Sequence, residues 1–169
     1  MDFQLKPISR DGIPEAISKV ELYRNLNEPG EAESICRDIL AADPDNQTAL
    51  RLLGLSITDQ FKGSAADRYT EAEGIFQSLH DQYEKFYYAG ILHEREAKAQ
   101  LGAGRSPHTV APLFEAALAY FEKAEAIRPR GNDDAILRWN RCVRILQSRV
   151  DSDWQKLIAT FDAGDSPPI

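Results

Sequence analysis

Gly30-Glu31-Ala32-Glu33-Ser34-Ile35-Cys36-Arg37-Asp38-Ile39-Leu40-Ala41-Ala42-Asp43-Pro44 is the stretch on which the fold turns. Ala32, Ile35, Cys36, Ile39 and Leu40 recur at the i, i+3, i+4, i+7, i+8 spacing of one helical face. The helix must stop at Ala42-Asp43, because the residue before Pro44 is pushed out of the helical region. The same arrangement returns in Phe114–Pro129: Ala117, Phe121, Ala124 and Pro129 reproduce Ala32, Cys36, Ile39 and Pro44. In both copies a small residue leads a larger one by four positions, a third apolar residue by seven and a proline by twelve. Ala72, Phe76 and Leu79 form a middle copy in which Glu84 stands where the proline would be.

Outward from this repeat the helical period continues and strand alternation is almost absent. Residues 1–12 read as an irregular lead-in ending at Asp11-Gly12. A first helix is predicted from about Pro14 to Leu26, broken by Asn27-Glu28-Pro29-Gly30. A third, capped by Asp45 or Asn46, carries Ala49, Leu50, Leu53, Gly54 and Ile57. A fourth places Ala72, Ile75, Phe76 and Leu79 inward, and a fifth runs from about Tyr83 to Leu101. Gly102-Ala103-Gly104-Arg105-Ser106-Pro107 reads as a loop. A sixth helix is predicted over about 110–127, and a seventh over about 133–149 with Ile136, Trp139, Val143, Leu146 and Val150 on one face. Ser152-x-x-Gln155 has the form of a capping box and is expected to open an eighth helix with Trp154, Leu157, Ile158 and Phe161 inward. Residues 163–169 are expected to be a frayed tail.

The distance from Ala32 to Ala72 is 40 residues and from Ala72 to Ala117 is 45. These are one period of roughly 34 residues plus insertions. The excess is expected in the turns within the hairpins, around 62–69 and 102–112, where added length costs little closure entropy. The pattern resembles the second helix of a tetratricopeptide repeat. The family's first helix is matched by Leu50, Leu53, Gly54 and Ile57, and more loosely by Phe86, Ala89, Gly90 and His93. Ala16, Lys19, Val20 and Tyr23 also match loosely, with Lys19 a departure. The resemblance covers residues 13–162, as three repeats and a degenerate last hairpin. It implies an all-α, right-handed superhelical stack of antiparallel helical hairpins, about eight helices in all. Ala32, Gly54, Gly90 and Ala117 are then small so that helix axes can approach, and Tyr23, Phe76 and Phe121 fill the adjoining space.

The resemblance also implies a concave side lined by the first helix of each hairpin. Carried over by position, its candidates are Ile17, Glu21, Arg24 and Asn25, then Arg51, Leu55, Thr58 and Asp59, then Tyr87, Ile91, Glu94 and Arg95. Arg141 and Arg144 of the seventh helix are added. Such a groove would hold a peptide segment or helix of another protein, without catalysis. The alternative is a structural protein that associates with itself and takes no peptide ligand. Chaperone-tail recognition is not expected, because Ile17 and Glu21 stand where the family's cationic clamp begins, and an acid there repels a terminal carboxylate.

Other functions find little support. The 169 residues carry a formal net charge of −7, which disfavours nonspecific nucleic-acid binding and docking on anionic membranes. No apolar run approaches the length of a membrane span, and Met1–Pro7 has no secretory pattern, so a cytoplasmic protein is expected. Cys36 and Cys142 lie in apolar helical stretches, as buried reduced thiols would. His93-Glu94-Arg95-Glu96-Ala97 begins like a zinc-protease helix but has no histidine at 97; neither metal nor cofactor is expected. A catalytic pocket would have to draw on His93, Glu94 and Glu96. Charge is uneven. Seven acids and two bases lie between Glu21 and Asn46, whereas six arginines and two acids lie between Arg128 and Arg149, with Arg138, Arg141 and Arg144 forming a ridge. That ridge would steer an acidic partner to the C-terminal end or favour head-to-tail association.

Overall fold

The computed structural model describes residues 2–63 and 66–162, with the side chains of 66–67 and 149–162 outside the described set. Among the described residues there is no strand. A 3₁₀ turn, Arg10–Gly12, leads into α1 (Ile13–Asn25), α2 (Pro29–Ala42), α3 (Gln47–Asp59), α4 (Ala66–Gln77), α5 (Gln82–Gly102), α6 (Pro107–Ala126) and α7 (Asp134–Asp162). Each helix packs on its successor, and α1 also touches α3, α3 touches α5, and α5 touches α7. No described helix is long and apolar enough to cross a membrane.

The helix ends follow their side chains. Asn46 accepts a hydrogen bond from the Ala49 N–H at 3.0 Å, and Asp81 accepts from Glu84 N–H at 2.8 Å. The first break is shorter than the run Asn27–Gly30 suggested, because Pro29 opens α2 in a first turn that needs no N–H. Asn27 takes a left-handed φ of 60°. This lets Glu28 N–H reach back to the Tyr23 carbonyl at 2.8 Å and Asn27 N–H to Arg24 at 3.0 Å.

Two expectations are corrected. The stretch 102–112 is mostly helix rather than a loop. α5 and α6 grow to 21 and 20 residues, against 12 to 14 in α1–α4, and only Ala103–Ser106 connects them. Gly104, at φ 85°, closes α5 with an Arg105 N–H bond to the Gln100 carbonyl at 3.0 Å. Adding whole turns at the far end of a hairpin leaves the packed register intact while satisfying every new backbone group inside a helix. The second correction is that α7 runs unbroken through Ser152, so seven helices rather than eight are present among the described residues. The capping-box residues are interior to a helix already under way, whose N–H groups are satisfied from the preceding turn. The inward placement expected of Trp154, Leu157, Ile158 and Phe161, and the tail 163–169, lie outside the described residues.

The small residues pack where the repeat puts them. Ala32, Gly54, Gly90 and Ala117 are all buried. A methyl group added to Gly54 would lie 2.3 Å from Phe76 Cε1, and one added to Gly90 would lie 2.5 Å from Phe121 Cε1. Each ring therefore seats against bare backbone of the partner helix. One core cluster, including Val20, Cys36, Ile39, Leu53, Ile57 and Phe76, spans α1 to α5. A second, including Ile91, Phe114, Phe121, Ala135 and Cys142, spans α5 to α7, and Leu55 and Tyr88 touch both. Burial pushes both thiols, Cys36 and Cys142, up to about 12.

Candidate functional site

Asp59 ends α3 and meets two guanidinium groups. Arg24 Nε of α1 donates to its Oδ2 at 2.8 Å, and Arg95 of α5 pairs with its Oδ1. The three side chains are 22%, 22% and 20% exposed, so their charges meet only partly in water. Glu94, the residue before Arg95, is fully buried. Its Oε1 faces Lys98 one turn on and Arg138 Nη1 of α7 at 3.6 Å, while its Oε2 has no hydrogen-bond partner. Arg138 also lies beside the Tyr87 hydroxyl. A line of charge thus runs across α1, α3, α5 and α7.

That line is short of negative charge. Among the described residues two carboxylates, Asp59 and Glu94, serve Arg24, Arg95, Lys98 and Arg138. Burial, and then Arg24 and Arg138, lower the pKa of Arg95 to about 10, which leaves it charged at neutral pH. Beside these groups opens a cleft of about 770 Å³, walled by Asp59, Phe61, Lys62 and Gly63 at the end of α3, by Arg95, Lys98 and Ala103 along α5, and by Arg138. A second cleft of about 290 Å³ shares Lys98 and Gly102 with the first and continues to Arg141 and Ile145.

The groove candidates divide by depth. Arg24, Asp59 and Arg95 come together as described, while Glu21, Asn25, Arg141 and Arg144 are exposed. Arg51 is half-buried and pairs with Glu84 at 2.6 Å. Tyr87 stacks on Tyr83 with centroids 5.8 Å apart, and Leu55 is half-buried between the clusters. Ile17 packs on the first cluster, partly buried. Thr58 at 3%, Ile91 at 1% and Glu94 at 0% exposure do not reach the surface as contacts. Thr58 returns its hydroxyl to the Leu55 carbonyl at 2.9 Å. Repeat alignment placed these three on the same face as their neighbours, but one step along a helix turns a side chain by about 100°.

Lys62, Lys98 and Arg138 line the cleft, and repeat alignment did not supply them. Arg138 was legible only as part of the arginine ridge. Lys98 carried a signal, since Glu94 and Lys98 are an i, i+4 pair. Lys62 lies in a turn that the family pattern does not cover.

His93, Glu94 and Glu96 serve different sides of α5. His93 stacks on Tyr120 of α6 at 5.4 Å and lies 3.3 Å from the Tyr69 hydroxyl of α4, and burial lowers its pKa. It lines a narrower cleft of about 260 Å³ between α4, α5 and α6, whose edge is covered by Lys123 over the Tyr120 and Phe86 rings. Glu96 accepts from Gln100 at 2.8 Å. Among the described residues no three His, Cys, Asp or Glu side chains are grouped to hold a metal ion.

A second ionic network lies on α2, α3 and α4. Glu33 accepts from Arg37 at 2.6 Å, Gln60 at 2.6 Å and Arg68 at 2.5 Å, and Glu71 bridges the two arginines. Burial alone would raise the Glu33 pKa, but the three donors bring it down to about 2. Every charge here is answered locally, in contrast to the cleft.

No family model matches the chain, and neither a curated protein nor a solved structure matches it.

Proposed function

We propose that the chain is a non-catalytic interaction module of the tetratricopeptide type, and that it holds a segment of another protein in the cleft between α3, α5 and α7. The observation that carries this reading is the run of Arg24, Asp59, Arg95 and Arg138, one from each odd-numbered helix, beside one continuous opening. The contacts of α1 with α3, α3 with α5 and α5 with α7 support a solenoid in which the first helix of each hairpin lines one side. The seating of Phe76 on Gly54 and of Phe121 on Gly90 supports the small–large repeat on which the family reading rests.

The test is site-specific photocrosslinking in native extract. A photoreactive residue replaces Ala99, on the cleft wall, or Ser34, exposed on α2. A defined protein adduct from position 99 and none from position 34 is expected. No adduct from position 99, or the same products from both, overturns the reading.

A further inference from the structure

Resting on that reading, we infer that the segment taken by the cleft is an acidic peptide, bound through several glutamate or aspartate side chains along the track from Lys62 to Arg141. Lys62, Arg95, Lys98 and Arg138 wall the main cleft, and Arg141 walls its continuation. Among the described residues Asp59 is the one acid on those walls, and it is already shared by Arg24 and Arg95. Glu94 lies fully buried behind Lys98 and Arg138, so it steadies them without offering a negative surface to a ligand.

This positive excess stands on a chain of net charge −7, so it is a local feature rather than general basicity. Like charges held side by side repel, and an incoming carboxylate relieves that repulsion at each step. The shape favours a chain over a compact anion. The two openings share Lys98 and Gly102 and so lie side by side along α5, and a methyl group at Gly102 would meet nothing within 4 Å. A strand-like segment advances about 3.3 Å per residue and presents alternate side chains to one face. Several carboxylates of one segment can therefore face successive cations. The wider protein field also disfavours long polyanions such as nucleic acid, which would extend past the cleft over the acidic remainder of the surface.

The probes are a labelled ten-residue peptide with six glutamates, the same peptide with glutamine at those positions, and a single-stranded RNA of similar charge. Binding is read by fluorescence anisotropy at low and high salt. We expect the glutamate peptide to bind at least about tenfold more tightly than the glutamine peptide, and to weaken by a similar factor at high salt. The variant K62E/R141E should lose the glutamate peptide by about tenfold or more. Both positions are exposed and neither contacts Glu94, so unchanged helical circular dichroism and melting temperature would show that the fold is kept. Equal binding of the two peptides, unchanged affinity in K62E/R141E, or tighter binding of the RNA overturns the proposal. An Ala99 adduct that persists in K62E/R141E defeats the acidic-segment proposal and leaves the interaction reading standing. Binding of the glutamate peptide without any protein adduct at position 99 does the reverse.

Discussion

The Phe76 ring lies over the α carbon of Gly54 so closely that a methyl group there would stand 2.3 Å from Cε1. Phe121 repeats the relation over Gly90 at 2.5 Å. Both rings are buried, so neither can swing into solvent. Gly54→Ala and Gly90→Ala should each destabilise by about 1–3 kcal/mol through overpacking. This should hold although alanine is the better helix former by about 1 kcal/mol. Urea denaturation measures the loss, and Gly54→Ala combined with Phe76→Leu should recover part of it. A neutral Gly54→Ala would refute the close seating.

Gly74 provides the opposite case. It is exposed within α4, and an added methyl group meets nothing within 4 Å. Gly74→Ala should stabilise by about 0.5–1 kcal/mol, through helix propensity and reduced freedom of the unfolded chain. The midpoint of urea unfolding should rise with no change in slope.

The fold was readable where one local rule acted alone. Ala42-Asp43-Pro44 stops α2, Asn46 caps α3, and the buried alanines and glycines lie where the repeat puts them. It was not readable where two solutions satisfy the same residues. Gly102, Gly104 and Pro107 fit a long loop, but they also fit a helix end, a tight turn and a helix start, which is what forms. Ser152 and Gln155 fit a cap and also fit the middle of a long helix. Of the candidates given by repeat position, Arg24, Asp59 and Arg95 meet at one carboxylate. Ile91 and Glu94 are buried because α6 and α7 cover that side of α5, which repeat position does not encode.

Glu33 should govern acid stability on the α2–α4 side. Its folded pKa of about 2 lies below the ordinary value of 4.5, so its contribution is complete above pH 4.5 and is lost as pH falls towards 2. Because Arg37 is 47% exposed, solvent screening reduces the effect to about 1–2 kcal/mol. Glu33→Gln should flatten the decline in melting temperature between pH 4.5 and 2. A decline as steep as that of the unaltered protein would count against the network.

Glu94 depends on Lys98 and Arg138 for its burial. Removing both cations with Lys98→Ala/Arg138→Ala should cost about 3–5 kcal/mol, because an uncompensated carboxylate is left in the interior. Adding Glu94→Leu should restore most of that stability. A triple variant no more stable than the double would show that the cations act through their own packing instead.

The growth of α5 and α6 past their neighbours has an architectural consequence. At about 1.5 Å per residue, the additional turns form an overhang roughly 10 Å long. A methyl group on Gly63 would come within 3.8 Å of Ala103 Cβ, so this overhang meets the end of the neighbouring hairpin. Gly102 and Ala103 of this overhang form part of the wall of the cleft, which stays open to solvent. Trimming the overhang in whole turns would lower that wall and also take Leu101 and Val110 out of the second core cluster, so the depth of the cleft and the stability of the chain are tied to the same residues.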